Sequence, residues 1–244
     1  MNSIVSTSYS FFVEKLPYIT IAVFTIGMFL RIQRWLKAPK DHYNPKMAPV
    51  ESIKYIILDV MLFRKTYDRD KITWLLVFAF HGSIGGILFG HMRGFHLWSA
   101  SIFDPLGNWM EEFMIHTLPV YMGWLLICTT LLLLVRRIRM ENKQLNSFTN
   151  DYIALIIVLL AAIVGQGMRL FPPMAVPSEI YNVVFIPRLI VLHLEVVPSY
   201  HWFHWHVLLT QVFVMYAPFS KFIHILTGVI TPAIYGSRRK ELGI

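Results

Sequence analysis

Five stretches of this chain, Leu16–Leu30, Ile72–Met92, Phe113–Val135, Tyr152–Met168 and Val196–Ser220, contain no Asp, Glu, Lys or Arg. A spanning helix needs about 20 mostly apolar residues, and a backbone inside hydrocarbon must satisfy its own N–H and C=O groups, which continuous apolar runs do by coiling into helices. The first run is lengthened by Phe11, Phe12 and Val13, and the fourth by Leu170 and Phe171 beyond Arg169, whose long side chain can snorkel. With 56% hydrophobic and 15% charged residues, the chain is too apolar for an ordinary soluble domain. The expectation is an all-α integral membrane protein, a single domain over residues 1–244, with five transmembrane helices at about 12–32, 72–92, 113–135, 152–171 and 200–227.

The cations set the orientation. Arg31, Arg34, Lys37, Lys54, Arg64, Lys65, Arg69 and Lys71 crowd the first connection, and Arg136, Arg137, Arg139 and Lys143 the third, whereas the second offers only Arg93. The positive-inside rule then puts the N-terminus outside and the C-terminus, with Arg238, Arg239 and Lys240, in the cytoplasm, as expected of a multi-pass protein of the cell inner membrane. The formal charge of +8 is mostly this topology signal, so no nucleic-acid partner is expected. The first residues have neither a positive n-region nor a small-residue cleavage site, so a signal peptide is not expected. Cys128 stands alone, which excludes an internal disulfide, a cysteine-ligated iron–sulfur cluster and a CxxCH haem attachment.

Two segments outside the spans carry structure of their own. Within Asp41–Lys71, helical apolar spacing at Ile53, Ile56, Ile57, Val60 and Met61 marks a cytoplasmic amphipathic segment at about 50–64, which either lies in the headgroups or docks a soluble partner. On the outer side, Ile180–Val197 is apolar but broken by Pro187, Arg188 and Glu195, and reads as a surface lid able to line a quinone site.

Histidines give the spans a chemistry. His81 and His91 share the second span, and His206 and His224 belong to the fifth; ionisable groups at such depth normally have functional partners. Because the two helices run antiparallel, His91 falls level with His206 and His81 with His224. Ten residues rise about 15 Å and eighteen about 27 Å, so tilt and a kink near Pro218 must absorb the difference. Bis-histidine ligation of two stacked b haems follows, with Gly82, Gly85, Gly86 and Gly90 letting a flat macrocycle or another helix approach. Arg93 and His96, just beyond the second span, can reach a haem propionate or face water. His204 rivals His206 as ligand, but two residues turn a helix about 200°, so both cannot serve one iron from the same face.

At these residues the chain resembles a known family. H-x9-H on the second span and H-x17-H on the fifth, with the string YAPFSKFIH, are similar to the gamma subunit of respiratory nitrate reductase and its relatives, over about residues 74–135 and 200–230. The resemblance implies a five-helix dihaem cytochrome b that exchanges electrons with quinol, His91 and His206 holding the outer haem and His81 and His224 the inner one. The gamma subunits carry a quinol-binding lysine between helices two and three, whereas no lysine occurs here between Lys71 and Lys143; Asp104, Glu111, Glu112 and His116 occupy that stretch. The segment LDVMLFRKTYDRDKITW is more similar to the cytochrome b subunits of heterodisulfide reductase and of the membrane complex associated with dissimilatory sulfite reductase.

The expected function is therefore electron transfer between the quinone pool (menaquinone or ubiquinone) and a cytoplasmic iron–sulfur subunit, within an oxidoreductase complex that also admits further membrane and periplasmic subunits. His96, Glu111, Glu112 and His116 are the candidate proton acceptors of an outer quinone site. One alternative is a respiratory nitrate reductase gamma subunit. A different class is a haem-free proton-conducting transporter relaying protons through the histidines, and a third is a structural anchor, which leaves four buried imidazoles without partners.

Overall fold

The computed structural model of the chain describes residues 11–38, 48–140, 149–171 and 201–234, apart from 226 and 233. The expected outer lid, with His193, lies outside the described residues, as do His42, Lys143, Arg238, Arg239 and Lys240. All regular structure among the described residues is helical. We number the helices α1 (Phe11–Leu36), α2 (Pro49–Tyr55), α3 (Arg64–Arg69), α4 (Lys71–Met92), α5 (Asn108–Arg139), α6 (Thr149–Leu170) and α7 (His201–Tyr216).

Four of these, α1, α4, α5 and α6, are long and apolar enough to cross a membrane. α7 has 16 residues, about 24 Å of helix against a hydrocarbon core of about 30 Å. It stops because Pro218 has no N–H to donate and its ring crowds the preceding turn. The sequence predicts a kink there, but the break is complete: a tight 3-10 turn at Ala217–Phe219 leads into Ser220, which is extended (φ −120°, ψ −177°). A second turn, Lys221–Ile223, then restarts the helix, its first N–H at Phe222 bonded to Ser220 Oγ at 3.2 Å.

Lipid removes the usual reason for apolar surfaces to seek one another, so spanning helices associate through small residues and hydrogen bonds. The burial pattern follows that rule. Ser83 and Thr130 are fully buried, while Ile26 and Phe29 on α1 are 60% and 58% exposed. α4 packs on α5, α5 on α6, α6 on α7, and α7 on α1. Gln211 of α7 accepts from Thr20 Oγ1 of α1 at 3.2 Å and donates to the Phe12 carbonyl at 3.0 Å. Phe12 lies in a π-helical turn, Phe11–Lys15, and such a turn leaves a carbonyl outside the regular ladder. A second π turn, Phe113–Thr117 in α5, is met the same way by Arg169 of α6, which donates to the Ile115 carbonyl at 3.1 Å. Arg169 thus turns into the bundle rather than only snorkelling.

On the side rich in cations, α2 buries Ser52 and Tyr55, and together with the π-helical turn that follows it, Ile56–Met61, leaves an apolar stripe of Val50, Ile53, Ile57 and Met61 exposed, the disposition of a helix lying in a membrane interface. The Asp59 side chain is 4% exposed, with Arg64 at 3.0 Å and Lys65 at 3.3 Å as charge partners without hydrogen-bond alignment. Two cations that sequence reads as orientation signals therefore also neutralise a buried carboxylate.

Asp70 starts α4. Its carboxylate accepts from the N–H groups of Ile72 (2.9 Å) and Thr73 (3.2 Å) and from Thr73 Oγ1 (2.8 Å), and it pairs with Arg136 of α5, whose Nε also reaches Thr73 Oγ1 at 2.8 Å. These Thr73 bonds first, and the Arg136 charge after them, hold the Asp70 carboxyl below the usual carboxylate range. A group whose pKa is lowered by folding contributes stability that is complete above the usual range and is lost as pH falls through the lowered value. Asp70→Asn keeps a side-chain cap but should abolish this acid-side loss, and Asp70→Ala should lower the thermal midpoint at neutral pH as well. Melting curves in detergent between neutral and acid pH read both.

Candidate haem-binding site

The four histidines meet in two pairs. On α4 and α7, His91 and His206 have ring centres 6.0 Å apart with planes at 28°. His81 of α4 and His224, just past the break after α7, are 6.2 Å apart at 81°. Yet α4 and α7 are not a packed pair among the described residues; their imidazoles face each other across a gap. A metal–imidazole bond of about 2 Å places the centres of two trans rings roughly 6 Å apart, so each gap has the width of one ligated metal.

Hydrogen bonding sets which nitrogen of each ring the backbone engages. Nδ1 of His81 contacts the Val77 carbonyl at 2.8 Å, that of His91 the Ile87 carbonyl at 2.8 Å, that of His206 the Ala161 carbonyl at 3.2 Å, and that of His224 the Lys221 carbonyl at 2.7 Å. A carbonyl oxygen only accepts, so each Nδ1 carries a proton, which leaves Nε2 as the nitrogen open to a ligand. Metal-ligating imidazoles are oriented in this way. Among the described residues no three His, Cys, Asp or Glu side chains cluster as a bare metal ion would require. Two opposed imidazoles could instead hold a metal that carries further ligands of its own, as haem iron does, and one-electron exchange is the chemistry such a group would supply.

The supports differ between ligands. His81 and His91 lean on carbonyls of their own helix, four residues back. Phe63 also lays its ring 4.8 Å from His81, from a left-handed backbone position (φ 49°) between α2 and α3. His206 depends on α6. There Gly165 is the residue that sequence reasoning missed: a Cβ at this position would stand 3.0 Å from His206 Cε1 and 3.2 Å from its Nδ1. Two residues on, Gly167 makes the same room for the Trp202 indole, and between them Gln166 reaches the Val120 carbonyl of α5 at 3.2 Å. The signal was a polar residue between two glycines inside an apolar run.

The remaining candidates separate. Gly82, Gly85 and Gly90 face open space, whereas Gly86 lies against Met122 of α5, where a Cβ would sit 3.5 Å from its Cγ. His204 packs against Phe12 (5.5 Å) and Trp205 (6.0 Å). Arg93 follows the end of α4, and its carbonyl accepts from the N–H of His96, an exposed residue in the left-handed region (φ 55°). Of the outer titratable groups, the structure brings Glu112 and His116 together at 3.9 Å, both exposed on one face of α5, with Glu111 half-buried beside them.

The chain is similar to the Hdr-like menaquinol oxidoreductase cytochrome b-like subunit of Archaeoglobus fulgidus, at 28% identity over an alignment covering 85% of this chain and 74% of that protein. It also matches the nitrate reductase gamma subunit family over residues 65–240. Both helices that face each other and all four of their histidines fall within that match, and this multi-pass membrane protein belongs to the nitrate reductase gamma subunit family.

Proposed function

We propose that the whole chain is one cytochrome b domain that carries electrons between menaquinol and a cytoplasmic iron–sulfur subunit, in a complex resembling heterodisulfide reductase. The observation that carries this reading is the common state of the four histidines: each Nδ1–H is bonded to a carbonyl, Nε2 is left free of that bond, and the rings oppose one another in two pairs with centres about 6 Å apart. The relative's description as a menaquinol oxidoreductase subunit supports the substrate and the heterodisulfide reductase-like assembly. In this reading α7 and the restarted helix after Ser220 together form a fifth span, with the N-terminus outside and the C-terminus in the cytoplasm of the inner membrane.

His91 and His206 would hold an outer b haem, and His81 and His224 an inner one, with Gly85 leaving room beside them on α4. When bound there, haem would supply one-electron exchange. The residues of the chain do the remaining work. Arg169 sits beside His91 as a fixed positive charge. Glu112 and His116 form the pair best placed to accept protons released outside; Arg93, just past the end of α4, would reach a haem propionate, and His96 is a further candidate proton acceptor. Phe63 screens His81 on the side facing α2 and α3, where the iron–sulfur partner would dock.

Purified protein should show two low-spin b haems per chain by pyridine haemochrome assay. His91→Ala and His206→Ala should each remove the same haem, and His81→Ala and His224→Ala the other; unequal spectral losses within a pair would break the assignment. His204→Ala should keep both.

Gly165→Val pushes a methyl group into the His206 ring. It should reduce the content from two haems to one, deleting the spectral component that His206→Ala deletes, while Gly165→Ala causes a smaller shift. An unchanged spectrum in the valine variant would remove α6 from the site.

A further inference from the structure

The break after α7 is seated on α1. A Cβ at Gly27 would stand 2.8 Å from Phe219 Cζ and 2.9 Å from Pro218 Cβ, so only a glycine lets the broken segment approach this closely. One helical turn further along the same face of α1 comes Arg31, and the seating brings Arg31 into one cavity of about 570 Å³ with Ser220, Lys221 and His224. Among the described residues no carboxylate lines this cavity, whose remaining polar residue is Asn150. Lys221 Nζ is held by Asp151 Oδ1 at 2.6 Å, Ser220 Oγ donates to the Ala217 carbonyl at 3.1 Å, and His224 Nδ1 is bonded to the Lys221 carbonyl. Arg31 Nε, by contrast, is buried and has no hydrogen-bond partner among the described residues.

An orphaned guanidinium N–H in a cavity without an acid is best satisfied by an anionic oxygen. We infer that Arg31 binds a carboxylate of the haem held by His81 and His224, making α1 part of the inner haem site. The inference rests on the proposed ligation by those two histidines and adds a residue from a helix that carries no ligand. The haem supplies carboxylates at its edge, and the cavity joins the ligand His224 to Arg31 with no competing acid between them. A lipid phosphate offers similar chemistry, and the experiment separates the two sources.

Arg31→Gln should keep both haems but release the inner one to apomyoglobin several-fold faster. It should also lower that haem's midpoint potential, since a lost positive charge disfavours the added electron, and leave the outer haem unchanged. Arg31→Lys should restore most of both. Native protein reloaded with haem dimethyl ester, whose carboxylates are blocked, should lose the inner group as fast as Arg31→Gln, and the ester should add nothing in that variant, the non-additivity of a direct pair. Equal ester effects in both backgrounds, or an unchanged release rate and potential in Arg31→Gln, would overturn the assignment. So would loss of bound anionic phospholipid from Arg31→Gln with the inner haem unaltered, which would make the occupant a headgroup. If neither His81→Ala nor His224→Ala removes a haem, the underlying ligation fails first, and this inference falls with it.

Discussion

A carbonyl oxygen can only accept a hydrogen bond, and that one-way chemistry orients the centre of this protein. In each of four histidines Nδ1–H is committed to a backbone carbonyl, which leaves Nε2 free of that bond. Half of each ring's polar capacity is thereby satisfied by the protein, and each ring stands about 6 Å from an opposing imidazole. Burying an unsatisfied polar atom in an apolar setting costs roughly 1–3 kcal/mol. The arrangement therefore favours an occupant that ties α4 to α7, two helices that do not otherwise pack.

Everything around those rings is arranged to bring helices close and to satisfy stray backbone groups. Gly165 and Gly167 let α7 press its histidine and tryptophan onto α6, and Gly27 lets the break after Pro218 nest on α1. Gln211 and Arg169 each reach across to a carbonyl in a π-helical turn of the neighbouring helix. In lipid such contacts matter more than apolar burial, because the chain's apolar side chains already have an apolar solvent. The exposed Ile26 and Phe29 beside the buried Ser83 and Thr130 are the result.

Charge serves two purposes on the side rich in cations. Arg and Lys residues there read in the sequence as an orientation signal, yet several also hold parts of the chain together: Arg64 and Lys65 neutralise Asp59, Arg136 ties Asp70 to α5, and Arg137 and Lys221 converge on Asp151. The convergence on Asp151 joins α5, α6 and the segment carrying His224, so the His81–His224 pair is braced by ion pairs and the His91–His206 pair by glycine contacts. Exposed ion pairs contribute little, but the Asp151 and Asp59 side chains are only 3% and 4% exposed, and removing a cation there would strand a buried carboxylate.

The sequence by itself determined the helical membrane class, the four histidines and their pairing, because each is a one-dimensional property. Charge-free length sets the spans, and rise per residue sets the depth at which His91 meets His206 and His81 meets His224. Tertiary structure alone decided what stands behind the rings. Position along a helix does not say which rotation faces which neighbour, so nothing in the sequence pointed Gly165 at His206, Phe63 at His81 or Gly86 at Met122 rather than at a cofactor. Pro218 announced an interruption, but whether the chain would bend or break depended on the seat that Gly27 offers on α1. Arg31 reads in the sequence as one cation among many in a connection, and it became part of a site only because that break brought His224 to it.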